Sequence, residues 1–205
     1  MSKRDTTLDP KILHSAKQEF LKEGFLNASL KSICGNAEVT TGALYKRYEG
    51  KEELFHAVVQ PLLDDLDDII NQKKLTNPDS VSDETLIRSW DMDESYMLWW
   101  FEFLYQRKEY FKLLICKSEG SKFSSFSHDW VQKMSDYTYE YYKEAYRRNL
   151  TQVQVSCREM HVLLSAFWET IYEPFVHDFT WEEIIKYNQL VCNLFDWYKV
   201  LGFKH

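Results

Sequence analysis

The chain has 205 residues and a formal net charge of −7, with 25 Lys and Arg against 32 Asp and Glu, and aromatic residues make up 16% of it. That length suffices for one small binding unit plus a second core of ordinary domain size. No stretch approaches the ~18 consecutive apolar residues of a membrane span, and the opening Met-Ser-Lys-Arg-Asp lacks the apolar run of a secretory signal. A cytoplasmic protein without a membrane partner is expected. The four cysteines, Cys34, Cys116, Cys157 and Cys192, are widely spaced within apolar helical patterns and form no Cys-x-x-Cys. Buried reduced thiols are therefore expected, with no disulfide framework, no metal site and no cofactor.

In chain order, Asp9 and Pro10 read as a helix start, a carboxylate N-cap followed by proline at a position that needs no N–H. Ile12, Leu13, Ala16 and Phe20 follow on one face, and Gly24 is expected to close the helix with Phe25 folded back on it. Ser29 is the next N-cap, before a short helix whose single apolar stripe is Leu30, Ile33, Cys34 and Ala37. The pattern breaks at Glu38 and Val39. Thr40 caps a third helix, with Val39 and Leu44 at the spacing of a hydrophobic staple. Its outward side carries Thr41, Gly42, Tyr45 and Lys46, which is short, polar and positively charged, and Gly42 lets backbone come close to another molecule. Two short helices joined by a tight turn and followed at once by another helix are how a helix-turn-helix reader of DNA is built.

A fourth helix opens at Lys51, with Gly50 as N-cap, and carries Leu54, Phe55, Val58, Leu62, Leu66 and Ile69 through Ile70. Pro61 lies inside it and is expected to kink it. The run Asp64, Asp65, Asp67, Asp68 reads as a solvated face.

The residues Ala37, Val39, Thr40, Gly42, Leu44, Tyr45, Tyr48, Lys51, Glu52, Glu53 and Leu54 together resemble the signature of the TetR family of bacterial transcriptional regulators, in register and at the usual distance from the N-terminus. The match covers the first quarter of the chain. It implies an all-α fold: a three-helix DNA-binding domain with the helix-turn-helix in residues 1–50, then an all-helical effector-binding and dimerisation domain in residues 51–205. It further implies that Thr40, Thr41, Gly42 and Lys46 meet a double-stranded DNA operator, while Ser29, Tyr45, Arg47 and Lys51 hold phosphates. Two positions depart from the pattern. Glu38 stands where the family usually has glycine in a left-handed turn, and Thr41 where a longer basic side chain is frequent.

Charge is divided unevenly. Residues 1–50 hold eight Lys and Arg against six Asp and Glu, and the remaining 155 hold seventeen against twenty-six. Phosphate would attract the first part and repel the second, orienting the molecule on DNA.

Further helices are expected at about 84–106, 110–118, 128–148, 155–177 and 180–201. A loop of Gly120, Ser121, Ser124, Ser125 and Ser127 sets Phe123 and Phe126 on a mobile-looking connection. The last two helices are apolar around much of their circumference, through Val162, Leu163, Leu164, Ala166, Phe167, Trp168, Ile171 and Tyr172, then Ile184, Ile185, Leu190, Val191, Leu194, Phe195, Trp197, Tyr198 and Leu201. Two apolar faces require a second surface, either this chain's own core or a two-fold interface. The family's final two helices usually form a four-helix dimer bundle, which implies a homodimer here with Leu164, Phe167, Ile171, Val191, Leu194 and Tyr198 at the interface.

All seven tryptophans lie after Ser89. Rings at helical spacing pack cores, and they also line pockets. The pocket reading uses Trp99, Trp100, Phe103, Tyr137, Tyr141, Trp168 and Tyr172, with Glu102 or Glu169 as anchor, and rings plus carboxylates favour a cationic or flat aromatic small-molecule effector. Two rival classes stand beside this. His128 with Asp129, His161 with Glu159 and His177 with Asp178 offer acid/base chemistry, but no nucleophile elbow or glycine-rich phosphate loop accompanies them, so an enzyme is not expected. A helical protein-interaction scaffold with a vestigial DNA-binding head is the other. The residues favour a homodimeric, ligand-responsive transcription factor, a repressor released from its operator by a small molecule.

Overall fold

The computed structural model describes residues 8–74 and 76–203, and their regular structure is helical apart from one isolated pairing of Thr151 with Phe203. In chain order come α1 (Leu8–Asn27), α2 (Leu30–Asn36), α3 (Thr41–Tyr45), α4 (Lys51–Lys74), a 3₁₀ turn (Pro78–Ser80), α5 (Asp83–Arg88) and α6 (Glu94–Tyr105). Then follow α7 (Lys108–Cys116), α8 (Phe126–Arg147), α9 (Cys157–Val176), α10 (Trp181–Leu194) and α11 (Trp197–Leu201).

Two expected helices are each divided, for the same reason. An aspartate inside an apolar-periodic run serves as an N-cap, because its carboxylate satisfies a backbone N–H better than a helical interior allows. Asp93 accepts from Tyr96 N at 2.7 Å and starts α6, and Asp196 accepts from Lys199 N at 3.0 Å and starts α11. Elsewhere α9 and α10 begin with capping boxes, Ser156 with Glu159 and Thr180 with Glu183. Helix α4 runs through Pro61 as one helix.

The chain forms two compact units, and it passes between them within α4, between α6 and α7, and in the first turn of α8. The first takes in the residues to Leu66 together with Arg107–Phe126; the second takes in Asp67–Gln106 and the residues from Ser127 onward. The division thus falls further along the chain than residue 50.

In the first unit, α1 packs against α2 and α7. Its core holds Ile12, Ala16, Phe20, Ile33, Leu44, Leu54 and Phe55, all fully buried, and the rings of Phe20, Phe25 and Phe55 meet at 4.9 to 6.1 Å. Gly24 has φ 74° and ψ 164°, so it ends the regular part of α1 by a positive-φ turn other than the left-handed helical one. Phe25 N then donates to Lys117 O at 2.8 Å. The loop expected to be mobile is tied down instead. Ser118 and Ser121 are buried and donate their hydroxyls back to carbonyls, and Phe123 packs 6.1 Å from Phe55 and 5.5 Å from His56.

In the second unit, α10 packs on α6, with the buried Asn188 donating to Glu94 O at 2.9 Å. Arg148 closes the segment before α5 by donating to the carbonyls of Pro78, Asp79 and Val81 and to Asp83. Its neighbour Glu144 accepts from Arg147 and Arg148, and Arg147 beside it holds that carboxyl down at about 2.

Candidate functional site

The helix-turn-helix is built by local rules. Ser29 Oγ accepts from Ser32 N at 3.3 Å and Thr40 Oγ1 from Ala43 N at 3.1 Å, so each hydroxyl satisfies an orphan donor at the start of its helix. Between them Val39 N donates to Cys34 O, and Glu38 sits at φ 56°. A carboxylate side chain therefore occupies a left-handed turn position that glycine would take without steric cost.

Helix α3 buries Leu44 completely and exposes Thr41, Gly42, Tyr45 and Lys46. These four are the outward face that the periodicity predicts. A Cβ at Gly42 would meet only Thr40 Oγ1, at 4.0 Å. Nothing inside the protein requires glycine there, although glycine weakens a helix by about 1 kcal/mol relative to alanine.

Two predicted phosphate holders are already engaged within the first unit. Arg47 Nε donates to Asp9 Oδ1 at 2.7 Å and Nη1 to Ala43 O at 3.0 Å, and its side chain is 7% exposed. Asp9 accordingly lies in the first turn of α1 and ties it to the end of α3. Lys51 Nζ donates to Leu26 O at 2.8 Å and Ala28 O at 3.3 Å, and lies 4.9 Å from the ring centroid of Phe25. It satisfies carbonyls left open where α1 ends, a use of a cation that helix C-termini favour. Neither partnership has a local signal, since 38 residues separate Asp9 from Arg47.

The second unit contains a cavity of about 330 Å³, at the lower end of the range for small-molecule sites. Its apolar wall includes Trp90, Trp100, Met134, Leu164, Phe167, Trp168 and Trp197. Trp100, Trp130 and Trp168 meet edge to face at 5.2 to 6.3 Å, an arrangement that aromatic quadrupoles favour. Tyr137 and Tyr141 form another wall, and Tyr141 donates to Thr76 O at 3.2 Å. Burial pushes the Tyr137 hydroxyl far up, so it stays neutral. The polar lining includes Lys73, Thr76, Thr85, Arg88, Ser89, Asp91 and Tyr96.

Of the seven predicted pocket residues, Trp100, Tyr137, Tyr141 and Trp168 line this cavity. Trp99 is 45% exposed and stacks on Phe103, and Tyr172 is buried beside Trp168 without reaching the lining. Glu102 and Glu169 are absent from the lining as well, so the carboxylate anchors expected for a cation are not there. Helical spacing alone cannot separate the inner from the outer side of a helix that is aromatic all round. Trp90, Trp197, Lys73 and Arg88 escaped the sequence reading, because their elements are far apart in the chain and only the fold gathers them.

Among the predicted interface residues, Leu164 and Phe167 line the cavity and Ile171 and Val191 are in this chain's core, with Ile171 fully buried. A side chain already covered by its own chain has no surface left for a partner. Leu194 is 68% exposed and Tyr198 half-buried, and the other outward apolar residues on α9 and α10 are Val162, Val176, Ile185 and Leu190. Cys34 is buried as expected, whereas Cys116 and Cys157 are exposed. Among the described residues no three His, Cys, Asp or Glu side chains form a potential metal group, and no helix is long and apolar enough to cross a membrane. His161 Nδ1 lies 3.2 Å from Ser135 Oγ, and His177 Nε2 lies 3.0 Å from Glu173.

The sequence pattern of the family described as bacterial regulatory proteins, tetR family, matches residues 12–58. The HTH-type transcriptional regulator UidR of Escherichia coli K12 is 37% identical over 49 residues, which is 24% of this chain and 25% of UidR, so the chain spans about a quarter of the length of the curated relatives it matches. Over nearly the whole chain the fold resembles that of the transcriptional regulator FadR from Bacillus subtilis, solved in complex with stearoyl-CoA, at TM-score 0.60 and 12% identity, covering 96% of this chain and 99% of FadR. It likewise resembles NalD, the secondary repressor of the MexAB-OprM multidrug efflux pump in Pseudomonas aeruginosa, at TM-score 0.58 and 18% identity, covering 93% and 98%. The residues of the first unit thus carry the DNA-binding pattern of the tetR family, and along its length the chain has a fold similar to that of solved regulators.

Proposed function

We propose that the protein is a ligand-responsive DNA-binding regulator, a repressor that acts as a homodimer in the cytoplasm and leaves its operator when a small molecule fills the cavity of the second unit. The observation that carries this reading is the exposed face of α3, where Thr41, Gly42, Tyr45 and Lys46 stand clear of the protein and Gly42 has no internal reason to be glycine. Ser29 and Thr40 cap the two helices of the helix-turn-helix. An enzymatic or scaffold role draws no comparable support from these residues.

The body of the protein supplies the second half of the reading. A cavity walled by rings of α6, α8 and α9, with polar groups at its rim and walls, offers a ligand a seat. Leu190 and Leu194 on α10 and Val162 on α9, each more than half exposed, are apolar side chains that a second copy would cover. Regulation is then a coupling in which ligand and DNA prefer different arrangements of the two heads, which must meet successive major grooves about 34 to 36 Å apart.

A gel shift with the DNA flanking the protein's own gene tests the assignment, run with wild type, Lys46→Ala and Leu194→Glu. Specific retardation by the wild type is expected, weakened in Lys46→Ala and lost in Leu194→Glu as sedimentation shows monomers. No retardation by the wild type over a random fragment, at any salt concentration from low to physiological, would overturn it.

A further inference from the structure

The lining of the cavity carries an electrostatic bias. Lys73, near the end of α4, is half-buried, and its Nζ donates to Tyr96 Oη at 3.1 Å and lies 5.6 Å from that ring's centroid. It pairs with no carboxylate among the described residues. Arg88 is the second cation of the lining, and its one ion pair there is a loose 3.7 Å approach to Glu84 in which both side chains are highly exposed. Asp91 is the acid of the lining, and it is exposed as Arg88 is, so water screens both more than the half-buried Lys73.

The buried donors point the same way. The indole nitrogens of Trp90 and Trp197 are buried with no acceptor, in two rings that are each 3% exposed, line the same cavity and lie 6.2 Å apart. An indole nitrogen can only donate, and a buried donor without a partner is costly. The two indole nitrogens therefore call for oxygen acceptors, and the two cations of the lining for negative charge.

The apolar part sets the shape. Met92, Met134 and Leu164 apart, the apolar wall consists of flat rings, Trp100 and Trp168 meeting edge to face, and at about 330 Å³ the space accepts a small plate more readily than a long flexible chain.

From the cavity's lining we infer that the effector is a compact aromatic acid, whose ring lies among Trp100, Phe167 and Trp168 and whose carboxylate faces Lys73 and Arg88. The inference rests on the effector reading above and gives it a ligand class opposite in charge to the one the composition favours. Surface cations at a helix end are common, and Lys73 near the C-terminus of α4 has a use there as well. That use does not explain why two cations and two indole donors without acceptors gather around one cavity.

Isothermal titration of the full chain with three probes of one shape separates the cases: naphthalene-2-carboxylate, naphthalene-2-carboxamide and 2-naphthylmethylammonium. The carboxylate is expected to bind at least about tenfold tighter than the ammonium, with the carboxamide between them. Lys73→Gln should cut the carboxylate affinity by about threefold or more. The double variant Lys73→Gln/Arg88→Gln should bring carboxylate and ammonium within about threefold of each other and leave the carboxamide nearly unchanged. Both positions are at least partly exposed, and thermal unfolding checks that the variants fold. Tightest binding by the ammonium, a carboxylate preference that survives the double variant, or no binding by any probe would each overturn the ligand class. DNA retardation measured in parallel keeps the two readings apart: failure to bind DNA overturns the regulator and leaves the ligand class standing, and the reverse holds if DNA binds and the carboxylate does not.

Discussion

Helix α3 and the cavity of the second unit are the two candidate sites, and they are made in opposite ways. On α3 the exposed residues lie within six positions of one another, and each projects outward because Leu44 projects inward. The cavity draws its lining from six helices and the loops beside them, from Lys73 on α4 to Trp197 on α11. A site made by one helix needs only that helix to be anchored. A site made by many needs the whole unit to be packed, so it ties binding to stability.

The largest expected effect tests that link. Trp100 is 2% exposed and packs on Trp130 and Trp168, whereas its neighbour Trp99 is 45% exposed. Trp100→Ala should cost about 3 to 5 kcal/mol in chemical denaturation, as truncation of a buried aromatic does, and Trp99→Ala less than about 1 kcal/mol. Equal losses would mean that Trp99 is covered in the assembled protein.

Within the first unit the same contrast separates two lysines. Lys46 is exposed on α3, while Lys51 is occupied with the carbonyls of Leu26 and Ala28. Lys46→Ala should leave stability within about 0.5 kcal/mol and flatten the salt dependence of DNA binding by about one unit. Lys51→Ala should instead cost about 1 to 2 kcal/mol, because two carbonyls lose a charged donor, and change the salt slope less. A Lys51→Ala protein of full stability with a flattened slope would return that lysine to the phosphates.

A smaller effect belongs to the turn between α2 and α3. Glu38 holds φ 56°, so Glu38→Gly should stabilise the unit by about 0.5 to 1 kcal/mol, the steric relief being partly offset by a freer unfolded chain. The same change removes a negative charge next to the exposed face of α3 and should tighten DNA binding at low salt. Destabilisation would show that the Glu38 side chain has a partner that compensates its backbone.

The caps of the helix-turn-helix were legible in the sequence. Ser29 and Thr40 stand at helix starts because a hydroxyl reaches a backbone N–H three residues on, a purely local bond, and Ser156 and Thr180, which the sequence reading passed over, obey the same rule. Asp9 satisfies the same rule on paper and yet pairs with Arg47, since a distant guanidinium competes with a nearby amide for one carboxylate. The serine loop reads as mobile for a similar reason. Ser121 donates to Ser118 O, Ser118 to Leu114 O in α7, and Phe123 packs on Phe55 in α4, partners that composition does not reveal.

By itself the sequence determined the all-helical class, the helix-turn-helix and the outward face of α3, because hydrogen bonds between near neighbours and a period of 3.6 residues specify them. Only the tertiary structure decided which side of each aromatic helix is inside. It turned Leu164 and Phe167 toward a cavity, left Leu190 and Leu194 outside, and put Lys73 and Arg88 where Glu102 and Glu169 were expected. The physical reason is that apolar surface is buried without direction, so a helix apolar all round has several equally good ways to hide it, and its neighbours in space make the choice.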